Sequence, residues 1–293
     1  ALALTQTEQL IELLGRHNPR VRFELLTCTT TGDKVTDRPL SSFRGTGIFV
    51  NELRAALVEH HADLAVHSLK DIPIDQPTEL TLAAFPCRAD PRDLLLSRNN
   101  EPFDHLPQNA TVGTSSPRRI VQLRAARPDL RFADLRGNLD TRIRKLEEGR
   151  YDAIVVAAAG MQRLGRDYPE SALLPPELCL PAAGQGALAV ECRGDDPEAP
   201  AVAASANHET TAMAVTAERA FLAGIGGGCS MPIAAQATVR GTTLRLEGLV
   251  GERGTGRLVR GGIDTPSSDI VEAGKKLAAR LRAQCEREGI AVA

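Results

Sequence analysis

The sequence predicts an α/β fold divided into more than one domain, on three observations. Short β-branched runs alternate with helix-spaced segments over the first two thirds of the chain, and two stretches rich in proline or glycine interrupt that alternation. The third is size: 293 residues with 42% hydrophobic content exceed what one core usually holds.

Strands are expected over 21–27 (VRFELLT), 63–68 (DLAVHS), 110–115 (ATVGTS), 130–136 (LRFADLR) and 151–160 (YDAIVVAAAG). Between them QTEQLIELLGRH, FVNELRAALVEHH, PRRIVQLRAARP and NLDTRIRKLEEG repeat apolar residues at helical spacing, which implies largely parallel sheets. FPCRADPRD (85–93) reads as a hinge after a first domain that ends near 86, and a second domain spans 92–180. The second break, LPPELCLPAAGQG (174–186), precedes a change of character. A helix is expected over 209–223, then a glycine run, then alternating strands joined by Gly-Thr and Gly-Glu turns, and last an amphipathic helix in SSDIVEAGKKLAARLRAQCEREG. This third part, 209–293, reads as a smaller α+β domain.

The formal net charge is -2, yet lysine occurs only at Lys34, Lys70, Lys145, Lys275 and Lys276, so the positive charge is nearly all guanidinium. Arginine pairs two-pronged with carboxylate or phosphate and keeps its proton. A GC-rich genome also raises arginine content, but it does not decide where arginines cluster. The six cysteines, Cys28, Cys87, Cys179, Cys192, Cys229 and Cys285, form no CxxC pair and have no histidine at zinc spacing, so no metal site and no disulfide framework is expected. No apolar run approaches the ~20 residues of a membrane span. Reduced thiols in the cytoplasm are the expectation. Because ALALTQ opens without methionine, a preceding segment is expected to have been removed or omitted, and an organelle is open on that account.

Three strand-to-helix turns carry arginine. GTSSPRR (113–119) places Pro117 for a first helical turn, with Ser115 or Ser116 as its cap and Arg118 and Arg119 beside main-chain N–H groups that attract an anion. Alone, the stretch is equally a capped helix with two solvated arginines. LRGNLDTR repeats the arrangement, with Arg136 ending a strand, Asn138 as cap and Arg142 in the first turn; Arg163 follows a third such passage. Ligands of doubly wound sheets lie outside the carboxyl ends of strands, so the three turns are expected to converge on a polyanion. The chain has no Trp and two Tyr, which disfavours nucleic acid, and no P-loop pattern favours phosphate. Clustered carboxylates remain.

DLAVHSLKDIP ends a strand in Ser68, Lys70 and Asp71, and period-2 alternation puts the last two on opposite faces. An aspartate among cationic strand ends stays ionised and could stabilise a developing cation or shuttle a proton; taken alone, this segment reads more strongly as a turn with a capping aspartate. His67 is expected to pack or hydrogen-bond internally. GIGGGCSMP sets Cys229 behind glycines that leave the backbone open to a large group.

HSLKDIP, VGTSSPRR, LRGNLDTR, LPAAGQGALAVECR and GGGCSMP, in this order and spacing, resemble the porphobilinogen deaminase (hydroxymethylbilane synthase) family, from Ala1 to about residue 250. The resemblance implies two periplasmic-binding-protein-like (type II) domains flanking a cleft and a third domain carrying the cofactor cysteine. It also implies that 187–204, through ALAVECR, returns to the first domain. Cys229 is implied as the thioether attachment of a dipyrromethane cofactor, with Gly228 leaving room for it. On this anchor four porphobilinogen molecules are joined head to tail with loss of ammonia, and hydroxymethylbilane is released. Every pyrrole brings an acetate and a propionate.

Asp71 matches the family's catalytic aspartate, which stabilises the cation left as ammonia departs. Ser68, Lys70, Thr114, Ser116, Arg118, Arg119 and Asp33 match cofactor-binding positions. Gln6, Phe49, Arg136, Asn138, Arg142, Arg163 and Gln185 match positions near substrate. The implied partner is porphobilinogen alone, with no nucleic acid or membrane, acting on a monomer. Two departures stand out: the family usually has a strand ending in arginine before ALALTQ, and its loop matching SSFRGTGIFV (41–50) usually has lysines where this chain has Ser42 and Thr46, beside Arg44. A non-enzymatic two-domain carboxylate-binding protein of the solute-binding type would share such a cleft, with Cys229 a structural thiol and Asp71 only a hydrogen-bonding residue.

Overall fold

The structure, a computed structural model, describes residues 2–28, 50–226 and 231–291. Helices α1 (Leu2–His17) and α2 (Asn51–Val58) are followed by strands β1 (Leu64–Ser68), β2 (Leu80–Ala84), β3 (Asp93–Ser97) and β4 (Thr111–Gly113). Next come α3 (Pro117–Ala126), β5 (Arg131–Ala133), α4 (Leu139–Glu147), β6 (Ala153–Ala157), α5 (Ala158–Arg163), β7 (Leu173–Leu174) and β8 (Leu188–Arg193). Helices α6 (Ala199–Ala204) and α7 (Glu209–Ile225) lead to β9 (Ile233–Arg240), β10 (Thr243–Gly251), β11 (Leu258–Pro266) and α8 (Ile270–Glu288). The chain forms two compact units, Ala1–Ala89 with Gly186–Met213, and Asp90–Gln185 with Ala214–Ala293.

In the first unit β8 lies between β1 and β2 and runs antiparallel to both. Every residue of β8 is buried, because helices cover both its faces. Val190 packs with Leu10 and Leu14 of α1 and Ala203 of α6. Alternation turns Glu191 to the opposite face, where Leu57 of α2 packs on Ala65 and Leu80. The expected parallel pairing fails here because β8 enters from far along the chain and inserts between two strands in the reverse direction. The expected strand over 21–27 is also absent: this segment takes no strand pairing, and Val21, Leu25 and Leu26 are exposed. β propensity makes a strand only where a neighbour takes up the backbone groups, and no described strand pairs with this segment.

The second unit has a five-stranded sheet of order β5-β4-β6-β3-β7. β4 is parallel to β5 and β6, because α3 and α4 supply the crossover connections that parallel neighbours need. β3 is antiparallel to β6 and β7; only a short 3-10 turn, Phe103–His105, and no α-helix separates it from β4. Odd-numbered Leu95, Ala153 and Val155 share one face with Leu123 of α3, while Leu94, Ile154 and Val156 meet Leu146 of α4 and Met161 of α5 on the other. The expected hinge over 85–93 runs too far, since Asp93 is already paired with Ala157 and Leu174 as the first residue of β3.

β9, β10 and β11 form the antiparallel sheet that the turn residues predict. It shares a core with Val121 of α3 and with Leu180, through Ala234 and Leu249. α8 buries Ala273, Leu277, Ala278 and Leu281, and ends at Gly289 in the left-handed conformation that glycine favours. Gly274 permits a close approach of α8 to α7: a Cβ at this position would lie 2.8 Å from both Ala217 O and Phe221 N. Backbone atoms cannot swing aside as a side chain can. Gly274→Ala is therefore expected to cost about 1–3 kcal/mol through overpacking, read as a lower urea midpoint with unchanged slope. An unchanged midpoint would mean that the two helices separate freely.

Candidate functional site

In the first unit β1 ends at Ser68, and Leu69–Asp71 forms a single 3-10 turn. Lys70 and Asp71 therefore do not occupy opposite faces of a strand as expected, because the alternation stops one residue after His67. Leu69 N donates to Ala187 O at 3.0 Å and Ile72 N to Leu69 O at 3.1 Å, which fixes the turn at both ends. Asp71 is exposed and Lys70 half-buried, and both engage in polar interactions. Gln6, buried on α1, donates from Nε2 to Ser68 Oγ at 3.3 Å.

Below this turn lies a buried ionic group that the sequence did not disclose. Glu191 has 0% exposure and accepts from Arg54 Nε at 3.0 Å and Nη2 at 2.8 Å, with His67 Nε2 3.0 Å from its other oxygen. Burial alone would raise the pKa of Glu191, but the approach of His67 and Arg54 outweighs it and holds the carboxyl below its ordinary value. Arg54 also donates to Gln76 Oε1 at 2.7 Å, and Gln76 Nε2 donates to Pro73 O at 2.7 Å. The strand that carries Ser68 and the chain just beyond Asp71 are thus tied to one buried charge. The internal role expected of His67 is met. A glutamate inside the apolar run ALAVECR was the available signal for the rest.

In the second unit β4 leads to the Thr114–Pro117 turn. Thr114 N donates to Ala133 O at 2.9 Å, and Ser116 N donates to Thr114 Oγ1 at 3.2 Å. Neither expected serine caps α3. Ser116 holds the N-cap position with no side-chain cap bond, while Ser115 Oγ exchanges bonds with Leu135 N at 3.0 Å and Leu135 O at 3.1 Å. The hydroxyl that could cap the helix is spent holding the exit from β5.

Arg118 and Arg119 do not face solvent. Position 93 falls on the same sheet face as Leu95, toward α3, so its carboxylate enters an apolar layer and needs strong partners. Arg118 Nη1 donates to Asp93 Oδ2 at 2.6 Å, and Arg119 Nη2 and Nε donate to Oδ1 at 2.7 and 3.0 Å. Gln185 Nε2 donates to Asp93 Oδ1 at 2.9 Å and to Pro91 O at 2.7 Å, so its amide is buried here. Arg118 also reaches Leu180 O at 2.7 Å and Arg119 reaches Val155 O at 2.8 Å. Cys179 Sγ donates to Asp93 Oδ2 at 3.3 Å.

Burial would raise the pKa of Asp93, but the two guanidinium charges and their hydrogen bonds hold it far below the usual carboxylate range. Burial, then the Asp93 charge, pushes the Cys179 thiol far above its usual value, and it stays neutral.

The three arginine turns follow β4, β5 and β6, which are parallel neighbours, so all three leave the sheet at the same edge. Asn138 Oδ1 accepts from Thr141 N at 2.9 Å and caps α4 as expected, and Gly137, with φ +110°, makes the preceding turn. Arg142 Nε donates to Gly137 O at 2.7 Å, and the carbonyl of Arg136 accepts from Lys145 Nζ at 2.9 Å. Arg163 ends α5, where burial lowers the pKa of its guanidinium. Asp33, Ser42, Arg44, Thr46, Phe49, Gly228 and Cys229 lie outside the described residues. Among the described residues no group of three acidic, histidine or cysteine side chains could hold a metal, and no helix is long and apolar enough to cross a membrane.

Glu191→Gln keeps the shape of the side chain and removes its charge, leaving the largely covered Arg54 beside a weaker acceptor. The expected cost at pH 7 is about 3 kcal/mol. Because the folded pKa is depressed, the wild-type advantage is complete above the ordinary carboxylate range and is lost as pH falls through the folded value. Urea titrations from neutral to acid pH should show the gap between the two proteins narrowing below about pH 4.5. A gap that stays constant would remove the ionised form from this role.

A family profile described as "Porphobilinogen deaminase, dipyromethane cofactor binding domain" matches residues 1–201, and one described as "Porphobilinogen deaminase, C-terminal domain" matches residues 212–283. A porphobilinogen deaminase of Roseiflexus sp. (strain RS-1) is 49% identical over 280 residues, which cover 96% of this chain and 92% of that one. One from Brevibacillus brevis (strain 47 / JCM 6285 / NBRC 100599) is 49% identical over 251 residues, 85% of this chain and 81% of that one. Among solved structures the periplasmic VFT2 domain of Bordetella pertussis BvgS aligns at 18% identity over 68% of this chain and 75% of that one, with a TM-score of 0.40. That likeness is too remote to support the solute-binding alternative.

Proposed function

This chain belongs to the porphobilinogen deaminase family, and we propose from that premise that it joins four porphobilinogen molecules head to tail and releases hydroxymethylbilane. The observation that carries the reading is the family match over both regions of one chain, 1–201 and 212–283. At each addition the aminomethyl C–N bond of porphobilinogen breaks and ammonia leaves, a C–C bond forms to the ring carbon that accepts it, and that carbon gives up its proton; water supplies the hydroxyl on release. The dipyrromethane cofactor supplies the first accepting ring.

The residues present fit such a group. Carboxylates on every ring call for cations, and in the second unit two guanidinium groups share one buried carboxylate, so positive charge is in excess. Cys229 is the attachment point, with Gly228 giving the ring access to the backbone. Arg118, Arg119, Lys70 and the hydroxyls of Ser68, Thr114 and Ser116 hold cofactor carboxylates, and Asp33 belongs to the same cofactor-binding set. Arg136, Arg142 and Arg163 receive the substrate's acetate and propionate, with Gln6, Phe49 and Asn138 lining its approach. Gln185 serves this set through Asp93.

Asp71 is the catalytic group. It stands at a strand end, where its carboxylate faces positive charge that exists only while ammonia departs, and an anion fixed there stabilises that moment more than the ground state. The chain acts as a cytoplasmic monomer without nucleic acid.

Intact-mass spectrometry of the purified protein should find it heavier than its sequence by a dipyrrole, and Cys229→Ser should return the sequence mass. Sequence mass alone, in protein made with porphobilinogen present, would contradict the reading. Asp71→Asn should keep the fold and the added mass but lose turnover by about a hundredfold or more, and near-normal bilane formation would show the role to be misassigned.

A further inference from the structure

The Arg118–Arg119 pair raises a question of charge balance. Two guanidinium groups carry two positive charges, Asp93 carries one negative charge, and the Cys179 thiol carries none. All four are buried, Arg118 at 5% exposure, Arg119 at 6%, Asp93 and Cys179 at 0%. Within this group one positive charge is left over where water solvates it poorly, which is costly until an anion completes the set. The geometry places the burden on a single side chain. Asp93 Oδ1 accepts from Arg119 Nε and Nη2, from Arg118 Nη2 at 3.3 Å and from Gln185, while Oδ2 accepts from Arg118 Nη1. Without that carboxylate the two planar forks would repel each other and lose the acceptor that orients both.

We propose that Asp93 is the positioning residue of this pair: it fixes both guanidinium planes and takes up one of their two charges, so that the pair receives one carboxylate of the bound pyrrole chain and not two. The inference rests on the reading that Arg118 and Arg119 hold carboxylates of that chain.

The test follows loading of the cofactor. Protein made in cells that produce no porphobilinogen is incubated with a range of porphobilinogen concentrations, and the gain of dipyrrole mass is timed for the wild-type chain, Asp93→Asn, Asp93→Glu, Arg118→Leu and Arg119→Leu. With Asp93→Asn the concentration giving half-maximal loading rate should rise about tenfold, and the final loaded fraction should still approach that of wild type at high concentration. Asp93→Glu, which restores the charge on a longer stem, should fall between the two. A purely structural role would lower the loaded fraction in proportion to folded protein and leave the half-maximal concentration where it was; that outcome overturns the proposal. Should Asp93→Asn fail to fold, Asp93→Glu decides, and a half-maximal concentration equal to wild type overturns the proposal. Normal loading by Arg118→Leu and Arg119→Leu would instead overturn the reading on which the proposal rests. Failed loading in both with normal behaviour of Asp93→Asn would overturn the role of Asp93 alone.

Discussion

Asp93 bears a full negative charge inside a layer of leucine and valine side chains, and a charge is tolerated there only while its partners stay in place. This single requirement explains much of the second unit. It draws Arg118 and Arg119 off the surface of α3, it gives a reason for Gln185 to lie buried, and it adds to the burial that keeps the Cys179 thiol neutral. Because Arg118 also holds Leu180 O and Arg119 holds Val155 O, the same two side chains tie the start of β3 to β6 and to the segment that leaves the unit. Deleting either partner of such a set leaves a stranded charge, which is far more damaging than the set is stabilising.

The first unit uses the same device with different residues. Glu191 sits in the middle of a fully buried strand, and Arg54 and His67 answer it from α2 and β1. The ion pair holds in place the end of β1, which presents Ser68, Lys70 and Asp71. In each unit, then, one carboxylate on a central or near-central strand organises positively charged or polar side chains around the strand ends. Neither carboxylate belongs to the set expected to meet the substrate.

Much of this was legible in the sequence. The alternation of β-branched and helix-spaced runs placed α1, α3, α4, β1, β4, β5 and β6, and the Gly-Thr and Gly-Glu turns placed the last sheet, because in these segments periodicity and burial agree. The segment 21–27 misled because strand propensity says nothing about whether a neighbour is present. Ser115 and Ser116 misled in another way: a serine before a helix has more than one acceptor or donor within reach, and Leu135 lay closer. The inward turn of Arg118 and Arg119 could not be read locally, since their partner is 25 residues away from Arg118 and was hidden in a stretch read as a hinge. Asp93, directly ahead of the apolar run Leu94, Leu95 and Leu96, was the clue, and it points to a buried ion pair once β3 is recognised.

The position of β8 bears on how the polypeptide reaches its native form. All five strands of the sheet from β3 to β7 have been synthesised by Leu174, whereas the sheet of the first unit lacks its central member until Arg193 has been made. A nascent chain leaving the ribosome therefore carries an open-edged N-terminal portion while the later portion already holds everything its own large sheet requires. The order of completion is the reverse of the order of synthesis, and β1 and β2 wait as unjoined edges through that interval.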